Sequence, residues 1–148
     1  MITPAPTSKV APGLARGVLH AVQDVTATKA AFIVFSVPGT NYELHLRPLG
    51  TIATPVGKRI LGRIRAKARR VDTVMTGGRY VEPVYGRPRR VQGSIVEVDA
   101  EARTITVNAG VPIVCTLTDE RQSPGDFAIG HVVSFDVLDG STFEEVRD

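Results

Sequence analysis

Val133, Phe135 and Val137 alternate with Ser134 and Asp136, so a strand over 132–137 carries its apolar side chains on one face and its polar ones on the other. Two more short segments, Thr104 to Val107 and Ile113 to Thr118, alternate in the same way and are rich in β-branched residues. Turn chemistry separates such segments: Asp99-Ala100-Glu101-Ala102 and Pro38-Gly39-Thr40-Asn41 read as turns. Ser123-Pro124-Gly125-Asp126 reads as a single helical turn before Gly130.

The pattern recurs along the chain. Gly17 to Val22 resembles Gly93 to Val98, and each is followed by a polar stretch and an apolar segment ending in glycine, 32–39 or 104–110. Residues 41–46 then match 112–117, which sets Leu44 against Cys115. Gly57 followed by Ile60 matches Gly130 followed by Val133, and Val71 and Val74 match Phe143 and Val146. The order holds over about 60 residues with small gaps, which predicts an internal duplication. Each copy holds four or five short strands, enough for a small barrel.

Lys58 to Met75 supports two periods. Leu61, Ile64, Ala68, Val71 and Met75 recur at helical spacing, and the Arg, Lys and Ala content suits a helix. As a strand, the same segment turns Ile60, Gly62, Ile64, Ala66 and Ala68 inward, a thin core. The repeat decides for strand, because the partner segment 131–137 alternates plainly.

The run Asp126 to Val137 resembles the OB-fold family, especially cold-shock and S1-type barrels, where an aliphatic-glycine turn leads into an alternating strand. The resemblance implies a five-stranded barrel and single-stranded nucleic acid as partner. The aromatic-rich binding strands of cold-shock proteins have no counterpart: there is no Trp, with five Phe and three Tyr. An SH3-like barrel accounts for the strand count equally. The fold expected is therefore all-β, two tandem small β-barrel modules, OB-like or SH3-like. Residues 1–12, rich in Ala and Pro, are expected as a mobile tail, 13–75 as a basic β module, 76–90 as a linker or last strand, and 91–148 as an acidic β module.

Charge sharpens this division. Residues 1–90 hold fifteen Lys and Arg against four Asp and Glu, a net +11, whereas 91–148 hold three Arg against eleven acids, a net −8. The overall +3 hides this polarity. With Gly57 set against Gly130, Arg63 and Asp136 are equivalent outward positions. Arg63, Arg65, Lys67 and Arg69 alternate, so a strand lines them along one face, with Arg59 before them. Arg79, Arg87, Arg89 and Arg90 follow, with Tyr80 and Tyr85 among them. A guanidinium fork suits phosphate, and aromatic rings suit bases, so these eleven residues form the candidate nucleic-acid-binding set. The competing reading is a solvated face whose charges pair within the molecule or with an acidic partner.

Little points to catalysis. His20, His45 and His131 are scattered, without the spacing of a metal site. Cys115 alternates with Ile113 and Leu117, a core position rather than that of a reactive thiol. Gly57-Lys58 lacks the remainder of a phosphate loop, since Ile52 stands at the first glycine position and Arg59 at the Ser or Thr. The expectation is a cytoplasmic, non-catalytic binding protein without cofactor or metal. The longest apolar run, Ala30 to Phe35, is far short of a membrane helix. Its partner is nucleic acid or, alternatively, another protein or copy of itself, reached by the basic half meeting an acidic half.

Overall fold

The computed structural model describes residues 11–75 and 77–146. The expected tail lies, as far as residue 10, outside the described residues. The first half begins with a meander of β1 (Ala15–Gln23), β2 (Phe32–Ser36) and β3 (Glu43–Leu49), each antiparallel to the next. β4 (Arg59–Ala68) then returns to pair antiparallel with β1, setting Ile60 opposite Gly17. Three short strands follow: β5 (Asp72–Val74), β6 (Tyr80–Glu82) and β7 (Tyr85–Gly86).

The second half repeats the scheme. β8 (Arg90–Asp99), β9 (Thr104–Asn108) and β10 (Pro112–Leu117) form a meander, and β11 (Val132–Asp136) returns to β8 with Val133 opposite Gly93. β12 (Thr142–Glu145) completes the chain's strands. The agreement reaches individual hydrogen bonds. The Leu19 amide donates to the Lys58 carbonyl (3.0 Å) and Gly57 donates to Leu19 (2.7 Å). Ile95 donates to His131 (2.9 Å) and Gly130 donates to Ile95 (2.8 Å). Gly57 and Gly130 hold φ of +91° and +95°, which a side chain would strain. Both first strands bulge one residue later, between Leu19 and Ala21 and between Ile95 and Glu97.

Elsewhere the two halves differ from the alignment read in the sequence. Phe35 faces Leu44, while Val107 faces Ile113, so the second hairpin is three residues shorter and Ile113, not Cys115, takes the place of Leu44. Phe143 lies opposite Ile64, not in a place equivalent to Val71.

The molecule is all-β, and its twelve strands join one continuous sheet, in the order β1-β2-β3-β12-β4-β10-β9-β8-β11-β5 with β6 on β8 and β7 on β3. The expected pair of tandem barrels does not form. β12, from the acidic half, inserts between β3 and β4, parallel to the first and antiparallel to the second. β4 in turn lies parallel to β10. The physical reason is size: a half of this length buries too little apolar surface alone, and exchanging strands merges both halves into one core. That core runs from Ala15 to Phe143.

The 58–75 segment is a strand through Ala68, and Ile60, Gly62, Ile64, Ala66 and Ala68 all face inward and are buried. Their small size is used. The ring of Phe143 lies over Gly62 and that of Phe35 over Gly17, so close that no Cβ fits at either glycine. The two rings pack on each other at 5.0 Å. The thin face of β4 is thus filled by aromatics from β12 and β2. Residues 124–126 form the expected single helical turn. Among the described residues no helix is long and apolar enough to cross a membrane.

Candidate nucleic-acid interface

β4 alternates strictly, so its inward face fixes where the charges go. Arg59, Arg65, Lys67 and Arg69 are exposed and Arg63 is half-buried, all on the outer side. Among the described residues none of these five side chains makes a hydrogen bond or an ion pair. Successive outward residues on a strand lie about 7 Å apart, so this is a row of unneutralised like charges.

The row is continued sideways by the register. Arg65 pairs with Thr142 on β12, and Thr142 pairs with Arg47 on β3. Paired residues share a face, and two strand spacings place Arg47 about 10 Å from Arg65. Glu144 stands opposite Arg63 in the same ladder. Val114, beside Arg65 on β10, is covered by the segment at Gly13.

The other members of the predicted set separate into two groups. The segment 76–90, expected as a linker or last strand, contributes β6 and β7 and the first residue of β8. Tyr85 and Arg87 lie at the β3 edge, because β7 runs parallel to β3 with Tyr85 beside Glu43. Arg87 donates to both carboxylate oxygens of Asp139 (3.2 and 3.1 Å), and Arg47 approaches the same carboxylate at 3.8 Å. Arg79, Tyr80 and Arg90 belong with β6, β8 and β11. Arg90 donates to Asp136 at 2.7 Å and to the Ser134 hydroxyl at 2.8 Å, which buries Ser134 although it alternates outward. The Asp136 hydrogen bond, aided by Tyr80, holds the Arg90 guanidinium above its ordinary pKa. The Tyr80 hydroxyl donates to Gln92 at 3.2 Å. Arg79 and Arg89 are exposed. The opposite charges of the two halves therefore pair inside one chain at Asp136 and Asp139, while the β4 row makes no ion pair among the described residues.

A cleft of about 610 Å³ opens where β2, β3 and β7 converge. Phe32 stacks on His45 at 4.6 Å, and His45 meets the edge of Tyr85 at 4.8 Å. Lys29, Arg47, Arg87 and Ser141 complete its wall. Burial lowers the His45 pKa, offset by Glu43 and reinforced by Arg87 and Lys29. Among the described residues two buried side-chain polar atoms have no partner, His45 Nε2 and Ser141 Oγ, and both residues line this cleft.

Sequence reasoning found Tyr85 and Arg87 but missed Phe32, His45, Arg47 and Ser141. The available signal was the alternation of Glu43, His45 and Arg47 outward from buried Leu44 and Leu46. That pattern says nothing about which distant segment will lie beside them. Cys115 is fully buried in the core, and burial pushes its thiol pKa well up. No family model, curated protein or solved structure matches this chain.

Proposed function

We propose that the protein binds nucleic acid through the outer face of β3, β12 and β4, without catalysing a reaction on it. The observation that carries this reading is the row Arg59, Arg63, Arg65, Lys67 and Arg69, which follows β4 and makes no ion pair among the described residues, with Glu144 standing opposite Arg63. Such a row is a ready set of phosphate contacts, and Arg is the side chain best shaped for them. Arg47, whose approach to Asp139 is long and exposed at 3.8 Å, widens the face. The recurring pairing scheme of the two halves supports an internal duplication in which the outward positions of one copy turned basic. Assembly of basic half on acidic half is the weaker reading, because Asp136 and Asp139 already have partners within the chain.

The test is binding of fluorescent oligonucleotides by anisotropy over a range of salt. Phosphate contacts release counterions, so affinity should fall steeply with salt. Replacing Arg63, Arg65 and Arg69 together by Gln should flatten the slope of log affinity against log salt by about 2 on single strands and about 2.7 on duplex. Failure of single-stranded RNA, single-stranded DNA and duplex alike to bind at low salt overturns the reading.

A further inference from the structure

We propose that the cleft between Phe32, His45, Tyr85 and Ser141 captures one unstacked nucleobase, which makes the strand on the basic face a single strand. The inference rests on the nucleic-acid reading above and adds to it a second kind of contact.

Three features of the cleft point to a base. The first is the pair of orphaned atoms. A buried polar atom without a partner is costly, about 1–3 kcal/mol in a folded protein, and native proteins hold few. Among the described residues there are two, His45 Nε2 and Ser141 Oγ, and both belong to residues that line one cleft. A neutral imidazole nitrogen either donates or accepts, and a hydroxyl does both. Turned toward the cleft by a side-chain shift, they would meet a ligand edge that offers a donor beside an acceptor, as the Watson–Crick edge of every nucleobase does.

The second feature is shape and surface. Phe32 and His45 are stacked and Tyr85 stands across them, with Tyr85 63% exposed. An exposed ring at the mouth of a cleft is a platform on which a flat ring can lie, and such stacking is indifferent to base identity. The third is placement. Arg47 belongs to this cleft and also to the cross-strand line Arg47, Thr142, Arg65. A strand whose phosphates follow β4 therefore reaches the cleft by crossing only β12.

The chemistry also argues against a bare anion in the cleft. Burial keeps His45 neutral at pH 7, and Arg47 and Arg87 share Asp139. Of the cations that line the cleft only Lys29 makes no ion pair among the described residues, whereas all five side chains of the β4 row make none.

The experiment compares three labelled probes with the full chain: a thymidine 12-mer, a 12-mer of abasic residues with the same phosphates, and a 12-base-pair duplex. The thymidine strand should bind roughly 5- to 160-fold more tightly than the abasic one, the range expected for one stacked base. Tyr85→Ala should erase that difference while leaving the salt slope intact, and Tyr85→Phe should restore it. Ser141→Ala should narrow it in part. Tyr85 is exposed, so these Tyr85 variants should fold, which far-ultraviolet circular dichroism would check. Equal affinity for intact and abasic strands, with the salt slope intact, overturns base capture and leaves the phosphate face standing. A preference for duplex overturns it in the same way. Absence of binding to every probe overturns both proposals.

Discussion

The hydroxyl of Tyr42 donates to the carbonyl of Ala109 at 2.7 Å, tying the β2–β3 turn to the β9–β10 turn. The same oxygen accepts the amide of Val81 on β6 at 3.0 Å. Its ring is buried, so three segments of the chain meet on one side chain. Tyr42→Phe keeps the ring and strips both hydrogen bonds, leaving a buried carbonyl and a buried amide without partners. Each such loss costs about 1–3 kcal/mol. Urea denaturation should show a loss of about 2–4 kcal/mol.

Gly62 allows the sharpest test of the core. A Cβ there would overlap the Phe143 ring and the Glu144 carbonyl, and the carbonyl belongs to the paired strand and cannot yield. Gly62→Ala should lower stability by at least about 1–3 kcal/mol, the usual cost of overpacking. Gly78→Ala is the control, because nothing lies within 4 Å of the position a Cβ would take. It should leave the denaturation midpoint within about 0.5 kcal/mol of the parent.

The His45 pKa is held below its ordinary 6.5, first by burial. The folded state therefore resists protonation that the unfolded chain accepts, and the unfolded chain binds more protons as the solution is acidified. The contribution of neutral His45 is intact above pH 6.5 and is lost as the pH falls through the depressed value. Denaturation midpoints taken at pH 7.5 and pH 5 should diverge less in His45→Gln than in the parent protein. An unchanged pH dependence would show that this burial does not govern titration.

Neutralising the β4 row separates binding from stability. Arg63 and Arg65 have no partner among the described residues, so Arg63→Gln with Arg65→Gln should leave stability within about 0.5 kcal/mol or raise it by relieving repulsion. Arg90→Gln breaks contacts to Asp136 and Ser134 and should lower stability. The pair is partly exposed and screened, so the loss should not exceed about 1 kcal/mol. Urea titrations of the two variants side by side read the contrast directly.

Local pattern carried the elements well wherever one face was buried. Val133, Phe135 and Val137 sit inward because strand alternation leaves them no other choice. β4 is ambiguous between helix and strand in isolation, and only the likeness of its pattern to that of β11 resolves it. Thr104 and Thr106 went the other way: alternation reads them as outward, yet both are buried. Burial on the second face depends on what covers the sheet, which no local period records.

What the sequence determined by itself was the eight longer strands, the glycine turns at Gly57 and Gly130, the core side of β4 and therefore the outward row from Arg59 to Arg69. Those follow from chain stereochemistry and nearest neighbours along a strand. Tertiary structure decided that β12 enters between β3 and β4, that Asp136 and Asp139 take up Arg90 and Arg87, and that His45 and Ser141 line one cleft. His45 and Ser141 lie on separate segments, and only the parallel pairing of β3 with β12 and with β7 brings them into a common wall. A pairing between distant strands is chosen by the packing of the whole core, since the backbone hydrogen bonds it makes are the same for any sequence that can fill the space.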